Sequence, residues 1–143
     1  MALIADPAKI GAAPLQTVHC QSGPVTMSES PSAAPSFYKH HVFFCLNQRD
    51  AGASRPSCAG CGAAEMQQYA KKRIKSLGLA GEGAVRINQA GCLDRCELGP
   101  VLVVYPSATW YTYVDQSDID EIIDSHLVGG KVVERLLVDL PGA

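Results

Sequence analysis

The chain has 143 residues, with 12 Lys and Arg against 14 Asp and Glu, and a formal net charge of −2. This length indicates one domain or at most two. The balanced charge gives no reason to expect a nucleic acid or a membrane surface as partner, because both select for a basic face. No apolar run approaches the roughly 18 residues of a membrane span. The N-terminal stretch lacks the basic and apolar regions of a signal peptide, so we expect a cytoplasmic protein.

The composition changes near residue 36. Every aromatic residue lies at Phe37 or later, whereas residues 1–35 hold five of the nine prolines and three charged side chains. A segment with so little apolar surface to bury does not offset the entropy that it loses on ordering. We therefore predict a disordered Pro/Ala/Ser-rich tail over 1–35, in which Cys20 is an idle thiol, and a folded domain over 36–143.

The folded domain shows strand and helix patterns in alternation. In chain order, these patterns predict a strand at 38–46, a long loop at 47–62, a helix at 63–77, strands at 84–89, 100–105 and 109–114, a helix at 117–127, and a short element of uncertain type at 132–138. Ser117, three residues before Asp120, is the predicted N-cap of the second helix. A βαβ unit followed by a ββα unit is the order of the thioredoxin fold. We therefore predict an α/β, thioredoxin-like fold in which the first two strands are parallel.

Five of the six cysteines lie in this domain, at predicted element ends or in loops: Cys45, Cys58, Cys61, Cys92 and Cys96. A cysteine that acts as a small hydrophobe usually lies inside a core element, so this placement indicates chemistry. A disulfide framework is typical of small exported proteins, and the chain lacks an export signal. Thiolates are the ligands that zinc and iron–sulfur sites select, and five cysteines supply four ligands with one left over.

Two functions of other classes each explain part of the cysteine pattern. Cys58 and Cys61 form a CxxC motif before a predicted helix, as in thiol–disulfide oxidoreductases. Cys58, Cys61, Cys92 and Cys96 have the spacings of a four-cysteine structural zinc module. The enzyme hypothesis leaves the other cysteine spacings unexplained, and the zinc hypothesis leaves Cys45 without a role.

The cysteine spacing and its surroundings also carry a family resemblance. Twelve residues separate Cys45 from Cys58, and three separate Cys92 from Cys96. The motifs around them are HVFFC at 41–45, AGCLDRC at 90–96 and GPVLVVYP at 99–106. With this C-x12-C and C-x3-C pattern, residues 38–138 resemble the thioredoxin-like [2Fe-2S] ferredoxins.

The resemblance implies a one-electron carrier rather than an enzyme, with one [2Fe-2S] cluster per chain. It implies that Cys45 and Cys58 bind one iron, and that Cys92 and Cys96 bind the other. It further implies a homodimer, with redox proteins as donor and acceptor.

Two residues near the expected cluster need a separate interpretation. Cys61 departs from the family pattern, which makes it a spare thiol beside the cluster or a replacement for Cys58 as ligand. A cation near the cluster would ease reduction, because an electron adds negative charge to a centre that already carries about −2. Arg95, between the last two expected ligands, is the best candidate for this cation, and a solvated loop charge is the alternative interpretation of the same residue.

Overall fold

The computed structural model describes residues 36–139, so the predicted tail over 1–35, with Cys20, lies outside the described residues. The strands are His40–Cys45 (β1), Val85–Ala90 (β2), Val101–Tyr105 (β3) and Thr109–Thr112 (β4). The helices are Ala63–Ser76 (α1) and Gln116–Glu121 (α2), and a π-helical segment, Ile122–Val128, continues α2. Within 36–139, neither helix has the length and apolar character needed to cross a membrane.

The four strands form one sheet in the order β2-β1-β3-β4. β1 and β2 are parallel and α1 connects them, whereas β3 is antiparallel to both β1 and β4. This βαβ–ββα topology confirms the predicted thioredoxin-like fold. The predicted bounds of the strands and of α1 differ from the observed ones by at most two residues.

Both helices pack on the same face of the sheet. Alternate strand residues point to that face, because successive side chains of a strand lie on opposite sides. The buried cluster between sheet and helices includes Val42, Phe44, Leu102, Val104 and Tyr111 from the strands and Ala70, Ile74, Ile119 and Ile123 from the helices.

The start and the end of the second helix differ from the prediction. Asp115, not Ser117, is the N-cap: its Oδ1 accepts hydrogen bonds from the backbone N–H of Ser117 at 2.9 Å and of Asp118 at 3.2 Å. A carboxylate at this place also interacts favourably with the helix dipole. At the other end, the N–H of Gly129 donates to the carbonyl of Asp124, five residues earlier, at 3.1 Å.

The parallel pair β1 and β2 determines where the cysteine loops begin. Cys45 and Ala90, the last residues of the two strands, are cross-strand partners. The loop after β1 leads to Cys58, and the loop after β2 contains Cys92 and Cys96. Because parallel strands end at the same edge of a sheet, both loops leave that edge side by side.

Candidate metal centre

All five cysteines in residues 36–139 are free, and none lies inside a helix or strand interior. Cys45 is the last residue of β1, and Cys58 is the N-cap of a 3₁₀ turn, Ala59–Cys61, just before α1. Cys96 begins a second 3₁₀ turn, Cys96–Leu98, and Cys92 lies in the loop before it. The predicted placement at element ends is therefore confirmed.

Cys45 and Cys58 form a buried pair. Their exposed fractions are 0% and 1%, and they pack in a small apolar cluster with Ala63 and Val101. Burial, opposed in part by a backbone hydrogen bond from Val101 and assisted by the neighbouring Cys45 thiol, raises the pKa of Cys58 to about 12.

Gly99 joins the buried pair to that loop. The Cys58 thiol donates to the Gly99 carbonyl, with 3.6 Å between sulfur and oxygen. Gly99 has φ +84°, and a Cβ atom there would lie 3.3 Å from Thr112 Oγ1. Glycine therefore suits this position for two reasons, since it adopts a positive φ without strain and leaves room for Thr112.

Cys92 and Cys96 form a second pair, with their sulfur atoms 3.6 Å apart. Cys92 is exposed, whereas Cys96 is 2% exposed. The backbone N–H of Asp94 donates to Cys92 Sγ at 3.3 Å, from a residue in the left-handed region with φ +58°. The turn between the two cysteines thus supplies a hydrogen-bond donor to one of their sulfurs.

Arg49, in the loop between Cys45 and Cys58, is the cation at the second pair. Its Nη2 donates to Cys92 Sγ and to Cys96 Sγ, both at 3.5 Å. The hydrogen bond from Arg49 lowers the pKa of Cys96. Arg95, the cation predicted from the sequence, instead donates through Nη1 to the carbonyl of Asp94 at 2.7 Å. Proximity along the chain was a poor guide here, because the path of a loop decides which side chain reaches the sulfurs.

Arg55, from the same loop as Arg49, binds carboxylates instead of sulfurs. Its Nε pairs with Glu97, and its Nη1 lies 3.0 Å from Asp94 Oδ1. The guanidinium lowers the pKa of Glu97. Asp94 lies between Cys92 and Cys96, and Glu97 directly follows Cys96. Arg55 therefore ties the loop after β1 to the loop after β2.

Known proteins that are similar to this chain are 2Fe-2S ferredoxins. No protein-family model matches the chain. It is 41% identical over 98 residues to a curated 2Fe-2S ferredoxin of Aquifex aeolicus, covering 68% of this chain and 87% of that protein. It is 36% identical over 100 residues to a 2Fe-2S ferredoxin of Clostridium pasteurianum, covering 70% of this chain and 96% of that protein.

A solved structure agrees as well. The crystal structure of the wild-type thioredoxin-like [2Fe-2S] ferredoxin from Aquifex aeolicus aligns with a TM-score of 0.63 at 38% identity, covering 71% of this chain and 97% of that one. The chain belongs to the thioredoxin-like [2Fe-2S] ferredoxins. It binds a [2Fe-2S] cluster and carries one electron at a time.

The donor set of this ferredoxin fits a two-iron cluster. Such a cluster takes four thiolates. The described residues hold two pairs of free thiols, Cys45 with Cys58 and Cys92 with Cys96, and leave Cys61 over.

The sequence did not predict the environment of the Tyr113 hydroxyl. The hydroxyl of Tyr113 is buried and has no hydrogen-bond partner among residues 36–139. Burial raises the pKa of Tyr113, as do the nearby thiols of Cys58, Cys45 and Cys61. Sequence alternation indicated a strand at 109–114 but not that this hydroxyl lies beside the buried cysteine pair.

Cys61 is exposed and lies beside the buried pair rather than within it. Its backbone N–H donates to the Cys58 carbonyl at 3.0 Å, which closes the 3₁₀ turn. Cys58 is turned inward and Cys61 outward, so the two thiols of the CxxC motif occupy different environments.

Proposed function

We propose that Cys45 and Cys58 bind one iron of the cluster and that Cys92 and Cys96 bind the other. The supporting observation is that the loops carrying the two cysteine pairs are in direct contact. Arg49, between Cys45 and Cys58, lies 3.5 Å from the sulfurs of the second pair, and Cys58 Sγ lies 3.6 Å from the Gly99 carbonyl oxygen, three residues after Cys96. When bound, the cluster supplies a centre that accepts and releases one electron. Cys61 is then a spare thiol, because its side chain is exposed beside the site.

The chain's own residues give the two sides of the site different tasks in this proposal. The apolar surroundings of Cys45 and Cys58 exclude water from one side. Cys92 is exposed on the other side, and it is the ligand nearest to an arriving protein. We propose that redox partner proteins, as donor and acceptor, contact the surface around Cys92, since electron transfer favours a short path.

We further propose that the chain has no enzymatic activity of its own. A dithiol oxidoreductase needs an accessible cysteine with a lowered pKa as its nucleophile. Cys58 has the opposite character, because it is 1% exposed and burial raises its pKa to about 12. A thiol–disulfide exchange assay with wild-type protein and Cys61→Ser should therefore give the same background rate for both.

We propose that two copies of the chain form a homodimer through the face of the sheet opposite to the helices. That face presents aromatic side chains, with ring centroids of His41 and Phe43 4.3 Å apart and those of Phe43 and Tyr105 6.1 Å apart. The described helices pack on the other face. Sedimentation equilibrium of the wild type should give about twice the 15.1 kDa chain mass. The Phe43→Glu variant should sediment at the mass of a single chain.

Leu77→Glu, at the end of α1, is the matched control for the dimer. Leu77 is 39% exposed and belongs to the helix side of the molecule. It should leave the dimer intact. A wild-type protein that sediments at the monomer mass would rule the dimer out.

We propose a cytoplasmic location and a cluster domain over residues 36–143. Five free cysteines in 36–139, two of them exposed, suit a compartment that keeps thiols reduced. The aligned lengths of 98 and 100 residues support a domain of about this size. Cell fractionation with an antibody against the chain tests the location.

The experiment that tests the function is an absorption spectrum of anaerobically purified protein, before and after dithionite. Visible bands that bleach on reduction are expected, with about two iron and two sulfide per chain and an EPR signal of the reduced [2Fe-2S] state. A colourless protein that stays free of iron after anaerobic reconstitution would overturn the proposal. Zinc analysis of that sample would then test the zinc module.

A further inference from the structure

We propose that Arg49 sets the reduction potential of this ferredoxin, by holding a permanent positive charge against the sulfurs of Cys92 and Cys96. The inference rests on the proposed assignment of those two cysteines as ligands. It deepens that proposal, because it names a side chain outside the ligand set that makes electron uptake more favourable.

The geometry of the contact is the first support. A single nitrogen, Arg49 Nη2, lies 3.5 Å from each of the two sulfurs, so one guanidinium serves both members of the pair. Arg49 is partly buried, and its Nε is enclosed without a hydrogen-bond partner among the described residues. A guanidinium remains protonated throughout the accessible pH range, so this charge is constant.

The charge balance of the reaction is the second support. Four thiolates on an oxidised [2Fe-2S] core give a total of about −2, and reduction adds one more negative charge. A cation in contact with two of the sulfurs therefore stabilises the reduced state more than the oxidised state. Hydrogen bonds to the sulfurs act in the same direction, since they too favour the more negative state.

The other two arginines near the site are placed differently. Arg55 is paired with Asp94 and Glu97, so carboxylates already balance its charge. Arg95 donates to the carbonyl of Asp94. In the described part of the chain, neither makes a hydrogen bond to a cysteine sulfur. Arg95 is nevertheless next to Cys96 in sequence, which makes it the matched control for Arg49.

The test compares Arg49→Gln with Arg95→Gln in the cluster-containing full chain. Each removes one positive charge, but only the first removes a contact with sulfur. The midpoint potential is measured by spectroelectrochemical titration. At a fixed potential, Arg49→Gln should lower the ratio of reduced to oxidised protein about tenfold, which is about 59 mV for one electron. Arg95→Gln should lower it less than about threefold.

Salt concentration provides a second measurement on the same samples. At 1 M salt the Debye length is about 3 Å, so an exposed charge at a distance is largely screened. The effect of Arg49→Gln should persist at 1 M salt, because its partners are in direct contact. The smaller effect of Arg95→Gln should disappear.

The outcomes separate this inference from the proposed function. Iron and sulfide are determined for each sample, and a wild-type protein without a cluster rejects the function itself. A loaded Arg49→Gln with an unchanged potential, or with the same shift as Arg95→Gln, rejects the role of Arg49. If Arg49→Gln fails to load, Arg49→Lys replaces it. Because that variant keeps a positive charge, its potential should lie close to that of the wild type, and the potential of Arg49→Met, which removes the charge, must fall further than that of Arg95→Gln.

Discussion

Cys45 and Cys58 lie inside the protein at 0% and 1% exposure, whereas Cys92 is exposed and shares a guanidinium with Cys96. The buried pair has apolar neighbours and a raised Cys58 pKa. The arginine-bound pair has two hydrogen-bond donors, the Arg49 side chain and the Asp94 backbone, and a lowered Cys96 pKa. The four thiols are chemically alike, so the difference between the pairs comes from the protein around them.

This contrast shows how one site meets two opposing needs. A cluster must be kept from water on one side, yet its negative charge must be balanced before it accepts an electron. Burial alone would oppose reduction, since low-dielectric surroundings disfavour added charge. The chain separates the tasks, because the end of β1 supplies the dry side and the Arg49 loop supplies the charge.

The largest expected effect comes from exchanging one sulfur for oxygen in each pair. Cys58→Ser should abolish cluster loading, because a buried serine hydroxyl in apolar surroundings does not ionise to bind iron. Cys92→Ser should retain a measurable cluster, because solvent and Arg49 stabilise an oxygen anion there. Iron and sulfide per chain are measured after anaerobic purification.

Cys61→Ser is the control for that pair of variants and should load as the wild type does. Equal loss in Cys58→Ser and Cys92→Ser would contradict the proposed difference between the pairs. Full loading of Cys58→Ser together with loss in Cys61→Ser would make Cys61 the ligand in its place.

The next effect is the pH at which the thiols of the cluster-free protein become reactive. With a pKa of about 12, Cys58 has about one thiolate in ten thousand at pH 8. Arg49 lowers the pKa of Cys96, so its thiolate forms at a lower pH than that of an ordinary cysteine. Alkylation resolved by mass spectrometry should rise at a lower pH for Cys96 than for Cys58.

The raised pKa of Cys58 has a consequence for cluster binding. Cys58 must lose its proton to become a ligand, so binding releases a proton there and is favoured as the pH rises. Denatured protein is the control, since both cysteines should then follow the same pH curve. Identical curves in the folded protein would show that the two environments do not differ.

A smaller effect on cluster retention is expected from removing the ion pairs between the loop after β1 and the loop after β2. Arg55→Gln removes the pairing with Asp94 and Glu97 but leaves all four proposed ligands and Arg49 in place. Cluster loss to an iron chelator should accelerate about two- to fivefold, the range typical of partly exposed ion pairs. Arg86→Gln is the control, because Arg86 bonds only to its strand neighbour Asn88 among the described hydrogen bonds. An unchanged rate in Arg55→Gln would mean that the ligands alone hold the loops.

The positions of the cysteines were predictable because they depend on topology. A cysteine at the end of a parallel strand, and others in the loop after its neighbour, must meet at one edge of the sheet. The sequence did not reveal that Arg49, rather than Arg95, contacts the sulfurs, because this depends on how a loop of irregular backbone folds, and sequence distance does not report that path. Arg49 and Arg55 were visible as the cations of the long loop, but their different partners were not.

The second helix was also predictable in part: its presence was indicated by the sequence, whereas its N-cap and its π-helical end were not. Apolar spacing predicted a helix over 117–127, and the structure has one over Gln116–Glu121 that continues as Ile122–Val128. A π-helical turn accommodates one extra residue without changing which side chains are apolar, so the spacing did not reveal it. The cap was mistaken because both Asp115 and Ser117 are good N-cap residues, and only the backbone geometry distinguishes them.

The smallest effect concerns the hydroxyl beside the buried pair. The arginine-bound pair has donors directed at its sulfurs, whereas the Tyr113 hydroxyl next to the buried pair has no partner among residues 36–139. Tyr113→Phe keeps the ring packed against Phe44, with centroids 5.6 Å apart, and removes the desolvated hydroxyl. In the cluster-free protein, denaturant titration should show a free energy of unfolding unchanged or higher by up to about 1 kcal/mol. A decrease of more than about 1 kcal/mol would mean that the hydroxyl does bond within the buried side, and that this side is less apolar than its neighbours indicate.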